Sequence, residues 1–209
     1  MYFPTAEKTQ VNADVWWLET DRERLKIWTI KNTESEDSPA IIYFGGNAEA
    51  VEDNINVYRQ LFPGFTIYVL NYRGYGGSSG EASEKVLFAD ALTIYDQVKI
   101  KHSSISIIGR SLGSGVACYL AAHRSVEKLV LITPYDSIKN VAKSAYPIFP
   151  VSWLLKDHYD SISFSADIHS RILVLIANKD LVIPNAGTER LIQTLSHNPI
   201  ESHRFSDTT

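Results

Sequence analysis

Short, strongly apolar segments alternate with longer amphipathic segments along most of this 209-residue chain. From residue 40 onward the apolar segments are nearly continuous runs of Ile, Val, Leu, Tyr and Phe, which is typical of strands buried on both faces of a parallel sheet. The amphipathic segments between them predict helices, and this β-α-β-α order favours a doubly wound α/β sheet. Functional groups in such a protein are expected at the carboxyl ends of the strands.

The strand and helix boundaries follow from the same pattern. The predicted strands span residues 15–19, 25–30, 40–44, 66–71, 105–108, 128–132 and 172–177, with a last short strand around 203–205. The first two predicted strands alternate more between apolar and polar residues, which favours an antiparallel hairpin at the edge of the sheet. The predicted helices span residues 48–61, 83–99, 113–123 and 185–196. The length suits one domain, residues 1–209, in which the long aromatic segment at about 134–167 is expected to form a small cap-like insertion.

Composition excludes several classes of protein. A formal net charge of −4 gives no basic surface for nucleic acid. The single cysteine, Cys118, excludes an internal disulfide framework and a cysteine-based zinc site, and no metal or organic cofactor is implied. No apolar run approaches the ~18 residues that span a bilayer, and the first ten residues lack the pattern of a signal peptide. We therefore expect a cytoplasmic protein without a membrane span in this chain.

The strongest chemical motif is G-R-S-L-G at residues 109–113. It follows an apolar run and opens a predicted helix, which is the strand–turn–helix context of a nucleophile elbow. The sharp turn would expose the hydroxyl of Ser111 at the carboxyl edge of the sheet, above a helix N-terminus that favours developing negative charge. Ser111 is therefore the candidate nucleophile. The alternative is a Gly-Ser loop that only turns the chain.

A second candidate element is the loop G-G-N-A at residues 45–48. Acyl transfer needs two backbone N–H groups that face the developing oxyanion, one after the nucleophile and one from a loop of this kind. Leu112 and Asn47 are the two candidates by position. Asn47 could instead, or in addition, use its side chain to cap the helix predicted from residue 48.

Asp180 is the candidate acid of a catalytic triad. It lies in the loop after the strand 172–177, at the carboxyl edge, and the chain order Ser…Asp…His is the order that the nucleophile-elbow fold uses. The alternative is a solvated turn residue. Asp136, in the loop after the strand 128–132, would be the next candidate for the acid.

The position of the general base is the weakest part of the pattern. Four histidines are expected at the amino edge of the sheet, opposite the site: His102, His123, His169 and His197. His158 lies in the cap region and out of chain order, and His203 lies inside the last strand, short of the carboxyl edge. We therefore expect the base just beyond Thr209, in a C-terminal part absent from a truncated chain, with His203 as the minority candidate.

Several linked motifs resemble a known family. They are Y-F-G-G-N-A at residues 43–48, N-Y-R-G-Y-G-G-S-S-G at 71–80, G-R-S-L-G at 109–113, P-Y-D-S at 134–137 and D-L-V-I-P at 180–184. The chain resembles the α/β-hydrolase-domain group that contains the Bem46-like proteins and the palmitoyl-protein deacylases. The resemblance implies Ser111 as nucleophile, Asp180 as triad acid and a histidine after the last strand.

The chain departs from that family at two places, because Gly45 stands where the family usually has a histidine, and the triad histidine itself is absent. Family members often carry an N-terminal membrane anchor. The resemblance therefore implies an upstream anchor, and with it membrane association, as the alternative to a cytoplasmic location.

Together these features predict a serine hydrolase that cleaves an ester or thioester through an acyl-enzyme intermediate. The aromatic residues Tyr146, Phe149 and Trp153 in the cap region favour a small acyl-bearing or otherwise apolar ester substrate, although they could also seal the core. Two alternatives stay open: an aminopeptidase-like serine peptidase, which would need carboxylates to hold the substrate amine, and a non-catalytic binding module that retains the fold.

Overall fold

The computed structural model describes residues 2–20, 22–32, 38–145 and 155–206, and an eight-stranded sheet forms the centre of that part. The strands are β1 (Asp14–Thr20), β2 (Glu23–Lys31), β3 (Ala40–Phe44), β4 (Thr66–Leu70), β5 (Ile105–Arg110), β6 (Lys128–Ile132), β7 (Arg171–Ala177) and β8 (Ile200–Phe205). Their order across the sheet is β1-β2-β4-β3-β5-β6-β7-β8. The pairs β1–β2 and β2–β4 are antiparallel and the other five are parallel. The predicted α/β fold with an antiparallel N-terminal edge is confirmed.

Helices follow the parallel strands as the periodicity predicts. They are α1 (Ile55–Leu61), α2 (Glu84–Lys99), α3 (Leu112–His123), α4 (Ile138–Ala145), α5 (Ser161–Phe164) and α6 (Asn185–Thr194), with 3₁₀ turns at Val51–Asn54 and Ser165–Asp167. In α2 the buried side chains include Leu87, Ala91, Ile94 and Val98, a spacing that places them on one helical face. The nine buried residues of α3 reflect its central position against the sheet.

Each central strand divides its side chains between two apolar layers. In β5, Ile107 packs with the helices α2 and α3, whereas Ile108 belongs to a second cluster with Tyr43 and Ile55 on the opposite face. The alternation follows from the period of two along a strand. Towards β8 the second face is only half-covered, and an open groove of about 530 Å³ lies there at the amino ends of β6 and β7. That groove is at the edge of the sheet opposite the nucleophile motif.

Two element boundaries differ from the sequence expectation by more than two residues. The predicted helix 48–61 begins instead as a turn with Ala48 at φ 59°, followed by the 3₁₀ turn and α1, because Glu49 is used in a local contact described below. β8 begins at Ile200 rather than near residue 203. Its residues are mostly exposed and polar, so the strand is defined by its pairing with β7 rather than by an apolar pattern.

Part of the predicted cap insertion is described, as α4, α5 and the turns around them. Tyr135 and Tyr159 from this part are buried in the main core, so it is continuous with the body of the protein. The aromatic residues Tyr146, Phe149 and Trp153 lie outside the described residues, and the cap stays a prediction. Within the described ranges, none of the helices combines the length and the apolar character needed to cross a bilayer.

Candidate active site

Ser111 occupies the strained turn that the motif predicts. It lies between the end of β5 and the start of α3 with φ 49° and ψ −115°, a region that residues with a Cβ seldom adopt. Its N–H donates to the carbonyl of Ile132 across 2.9 Å, and its own carbonyl accepts from the N–H of Ser114 at 2.9 Å. Backbone strain of this kind persists only where the surroundings impose it, and it clusters at active sites.

The two glycines of the motif are required by close packing. A Cβ on Gly109 would lie 2.5 Å from the carbonyl oxygen of Gly113, and one on Gly113 would lie 2.1 Å from that of Phe44. Both distances are far below van der Waals contact. The strand β5, the helix α3 and the end of β3 therefore approach one another only because these positions lack side chains.

The loop after β3 lies directly against the nucleophile. A Cβ built on Gly46 would be 3.5 Å from the Cβ of Ser111. The side-chain oxygen of Asn47 accepts hydrogen bonds from the N–H of Phe3 at 3.0 Å and from the hydroxyl of Tyr75 at 2.7 Å. The suggested N-cap role of Asn47 is therefore wrong, because the 3₁₀ turn begins only at Val51 and its N-cap position is Ala50.

Leu112 is the first residue of α3 and is buried. Its carbonyl accepts a hydrogen bond from the hydroxyl of Tyr135 at 3.1 Å. In the same way, the hydroxyl of Tyr72 donates to the carbonyl of Gly45 at 2.8 Å. Burial raises the pKa of both tyrosines well above its usual range, so both stay protonated donors. The two loops that carry the oxyanion-hole candidates are thus each held by a buried tyrosine.

Asp180 lies in the loop after β7, as predicted, and is half-buried. Its Oδ1 accepts from the N–H groups of Val182 and Ile183, both at 2.8 Å. These bonds fix the carboxylate to its own turn. The next residue, Leu181, is 91% exposed.

Asp136 has a different environment. It is buried, and its Oδ1 accepts from the N–H of Ser137 at 2.7 Å. Its Oδ2 accepts from the side chain of Asn140 at 2.8 Å and from two nitrogens of Arg190 at 2.6 and 2.9 Å. These donors occupy both oxygens, so Asp136 is a structural link between the loop after β6 and α6.

Three histidine rings of the described residues bond to groups outside this cluster. His102 contacts the hydroxyl of Tyr68 and the carbonyl of Ser38, and His197 contacts the carbonyl of Ile168. His123 bonds within its own helix, to the carbonyl of Tyr119. His203 lies in β8 opposite Leu175 and is exposed. The structure thus brings together Ser111, Leu112 and the loop of Asn47, with Asp180 in another loop at the carboxyl edge.

A family model described as the α/β hydrolase fold matches residues 39–148, which include the loop of Asn47 and the elbow of Ser111. The chain belongs to the α/β-hydrolase family. It is 33% identical over 204 residues to an uncharacterized protein of Mycobacterium tuberculosis, a match that covers 92% of this chain and 73% of that protein. It is also 31% identical over 194 residues to the lysophosphatidylserine lipase ABHD12 of Bos taurus, with 81% of this chain and 48% of the lipase covered.

Solved structures agree on the fold of this α/β hydrolase. An esterase of Pyrococcus furiosus aligns with a TM-score of 0.75 at 18% identity, over 99% of this chain and 90% of the other. An acylaminoacyl peptidase of Pyrococcus horikoshii aligns with a TM-score of 0.73 at 14% identity, over 94% of this chain and 38% of the peptidase. These neighbours show the fold. The family match and the lipase relative support a hydrolase, as the motifs predicted.

Sequence reasoning missed the side chains that surround these two loops. The sequence pattern assigns no role to Glu49, Arg110, Tyr72 or Tyr135, although all four lie within or beside the quoted motifs. An acidic residue three positions after Gly46 was the available signal, because a Glu side chain can reach back to the backbone N–H three residues earlier, as in a capping box.

Proposed function

We propose that this α/β hydrolase is a serine hydrolase that cleaves carboxylic esters or thioesters through an acyl-enzyme intermediate. The observation that carries the proposal is the conformation of Ser111, at φ 49° and ψ −115° where β5 turns into α3, with Gly46 of the neighbouring loop against its Cβ. A serine held in this way presents its hydroxyl at the carboxyl edge of the sheet, next to backbone N–H groups.

The chemistry follows from that arrangement. The Oγ of Ser111 attacks the carbonyl carbon while a general base takes its proton, and the carbonyl π electrons move to the oxygen. The N–H groups of Asn47 and Leu112 are the proposed donors to this oxyanion. Its collapse expels the alcohol or thiol, which receives the proton from the base. Water then attacks the acyl-serine in the same manner and restores the free hydroxyl.

Asp180 is the proposed acid, which would orient the base and stabilise its charged form. Its attachment to its own turn by two N–H groups supports a fixed position. The base is proposed as a histidine that follows Asp180 in chain order and lies after β8, with His203 on that strand as the minority candidate. Replacement of His203 by alanine tests the minority candidate, because it would abolish turnover only if His203 is the base.

The proposed substrate has an apolar acyl group. The exposed side chains of Leu181 and Val182 follow Asp180 directly and would offer apolar surface beside the site. The relative named lysophosphatidylserine lipase supports the same class of substrate.

The test uses p-nitrophenyl acetate and butyrate, an acyl-thioester and a fluorophosphonate probe that labels activated serines. Ser111→Ala should lose both turnover and labelling, whereas the matched control Ser163→Ala, on the exposed side of α5, should retain them. Labelling of Ser111→Ala at the wild-type rate would refute the assignment. Preferred turnover of an aminoacyl p-nitroanilide would favour the peptidase alternative, and a wild-type protein that includes the histidine base and still shows neither labelling nor turnover would favour the binding module.

A further inference from the structure

Two buried side chains hold the peptide unit between Gly45 and Gly46 at both ends. The hydroxyl of Tyr72 donates to the carbonyl of Gly45 at 2.8 Å, and the Oε2 of Glu49 accepts from the N–H of Gly46 at 2.6 Å. The carbonyl and the N–H of a trans peptide point in opposite directions. A flip of this unit would turn the carbonyl oxygen towards the carboxylate and break both hydrogen bonds.

Glu49 also orients the next peptide unit. Its main-chain N–H donates to the carbonyl of Gly46 at 3.4 Å and closes a turn in which Ala48 has φ 59°. The N–H of Asn47 belongs to the same peptide unit as that carbonyl and therefore points away from the inside of the turn. One residue thus sets the direction of two consecutive peptide units, the second of which carries the proposed oxyanion donor.

The carboxylate of Glu49 is itself fixed from several directions. Its Oε1 accepts from the hydroxyl of Tyr43 at 2.7 Å and from the side chain of Asn54 at 3.1 Å, and Arg110 lies 3.6 Å from Oε2. The side chain of Glu49 is only 10% exposed. Burial raises the pKa of Tyr43, and the neighbouring side chains of Tyr58 and Glu49 raise it further. The hydroxyl of Tyr43 therefore stays a donor.

The loop needs such a device because its first two residues are glycines. Glycine has the widest choice of backbone conformations, so the loop has little intrinsic preference for one orientation. A Cβ on Gly45 would lie 2.5 Å from a methyl carbon of Val51, so a larger residue does not fit here without movement of Val51.

We propose that Glu49 is a positioning residue that locks the oxyanion loop in its productive orientation. The lock consists of two hydrogen bonds. The N–H of Gly46 donates to the carboxylate of Glu49, and the main-chain N–H of Glu49 donates to the carbonyl of Gly46. The catalytic consequence rests on the proposed serine-hydrolase function, whereas the lock itself does not depend on it.

The kinetic test compares Glu49→Gln and Glu49→Ala with wild type on the best ester found. Loss of one oxyanion donor costs about 10²- to 10³-fold in kcat, and a misdirected donor should cost part of that, so we expect a loss of about 10- to 100-fold in Glu49→Ala, with KM within about twofold. Glu49→Gln keeps an oxygen that can accept from the N–H of Gly46 and should lose less. The matched control Asn54→Ala removes an outer contact of Glu49 and should leave kcat unchanged. Arg110→Gln removes the ion pair with Glu49 but not the hydrogen bonds to Gly46. It should lower kcat by less than about threefold, since ion pairs with a half-exposed partner are weak.

A second measurement separates the lock from the chemistry. The amide resonance of Gly46 in ¹⁵N-labelled protein should lie downfield and exchange slowly in wild type and Asn54→Ala. It should move upfield and exchange faster in Glu49→Ala, with a smaller change in Glu49→Gln. An unchanged Gly46 amide in Glu49→Ala would overturn the lock. A shifted amide with unchanged kcat in Glu49→Ala, or a loss of kcat in Arg110→Gln equal to that in Glu49→Ala, would overturn the positioning role. If wild type and Ser111→Ala are equally inactive, the proposed function fails while the amide shift still decides the lock.

Discussion

The hydroxyl of Tyr135 donates a hydrogen bond to the main-chain carbonyl of Leu112 across 3.1 Å, from a position 23 residues later in the chain. The loop after β6 thereby supports the first turn of α3, immediately after the candidate nucleophile. Gly115 makes room for this contact, because a Cβ there would lie 2.4 Å from the tyrosine hydroxyl. The elbow is thus held from the adjacent strand loop as well as by its own glycines.

Tyr135→Phe should lower the free energy of unfolding by about 1 kcal/mol, because it leaves the buried carbonyl of Leu112 without this donor. Urea denaturation followed by far-UV circular dichroism measures the change. The matched control is Tyr119→Phe, which keeps a ring stacked on Phe88 and should change stability by less than about 0.5 kcal/mol. Equal losses in the two variants would mean that the hydrogen bond to Leu112 contributes nothing specific.

Two substitutions at Ser111 separate strain from chemistry. Both Ser111→Ala and Ser111→Gly remove the hydroxyl, but only glycine relieves the strain of a Cβ at φ 49°. A strained residue of this kind destabilises the folded state by ~1–3 kcal/mol. Glycine removes this strain, but its extra backbone freedom in the unfolded chain lowers the stability by ~0.5–1 kcal/mol. We expect the glycine variant to be the more stable by about 1 kcal/mol in thermal denaturation. A glycine variant less stable than the alanine variant would show that the turn is not strained.

Asp180→Asn should lower kcat by up to about 10⁴-fold, as the loss of a triad carboxylate does in a serine protease, and should change stability by less than about 0.5 kcal/mol. Asparagine keeps an oxygen for the N–H groups of Val182 and Ile183, so the turn is retained. The measurement is kcat and KM on the best ester. A kcat within about threefold of wild type, which is well under 1 kcal/mol, would make Asp180 structural.

The matched control for this prediction is Asp136→Asn. Asp136 is buried against Arg190, Asn140 and the N–H of Ser137, so the loss of its charge should appear in stability. Because the side chain of Arg190 is half-exposed, we expect a loss of about 1–3 kcal/mol, below the range for fully buried pairs. The two substitutions should therefore have different effects. Asp180→Asn should lower turnover, and Asp136→Asn should lower stability.

Cys118 should be unreactive in the folded protein. Burial raises the pKa of its thiol from the ordinary 9.0 to about 12, and the thiolate is the reactive form. At pH 8.5 iodoacetamide should alkylate the urea-unfolded chain rapidly and the native chain hardly at all. The unfolded chain releases this proton first as the pH rises, so the thiol's contribution to stability should decline between about pH 9 and 12. Rapid alkylation of the native protein would contradict the burial.

The sequence predicted well those features that depend on neighbours along the chain. The continuous apolar runs from residue 40 predicted the parallel strands, and the G-R-S-L-G motif placed the turn at Ser111 between β5 and α3. The roles of Ser111, Asp180, Asn47 and Leu112 stay proposals that the geometry supports. Local pattern was sufficient for the elements because period, turn residues and close-packed glycines act within a few positions.

Tertiary structure alone decided which distant residues meet. The chain does not reveal that β4 lies between β2 and β3, that the N–H of Phe3 reaches Asn47, or that Arg190 pairs with Asp136 across 54 positions. Glu49 was read as part of a helix, whereas it folds back onto Gly46 because the neighbouring loop, strand and elbow leave the carboxylate buried beside that N–H. The sequence by itself determined the order of elements and the candidate nucleophile, since these follow from local periodicity and turn chemistry. The tyrosine hydrogen bonds to the carbonyls of Gly45 and Leu112 and the structural use of Asp136 arise only when separate segments pack together, because hydrogen bonds between such segments have no local signature.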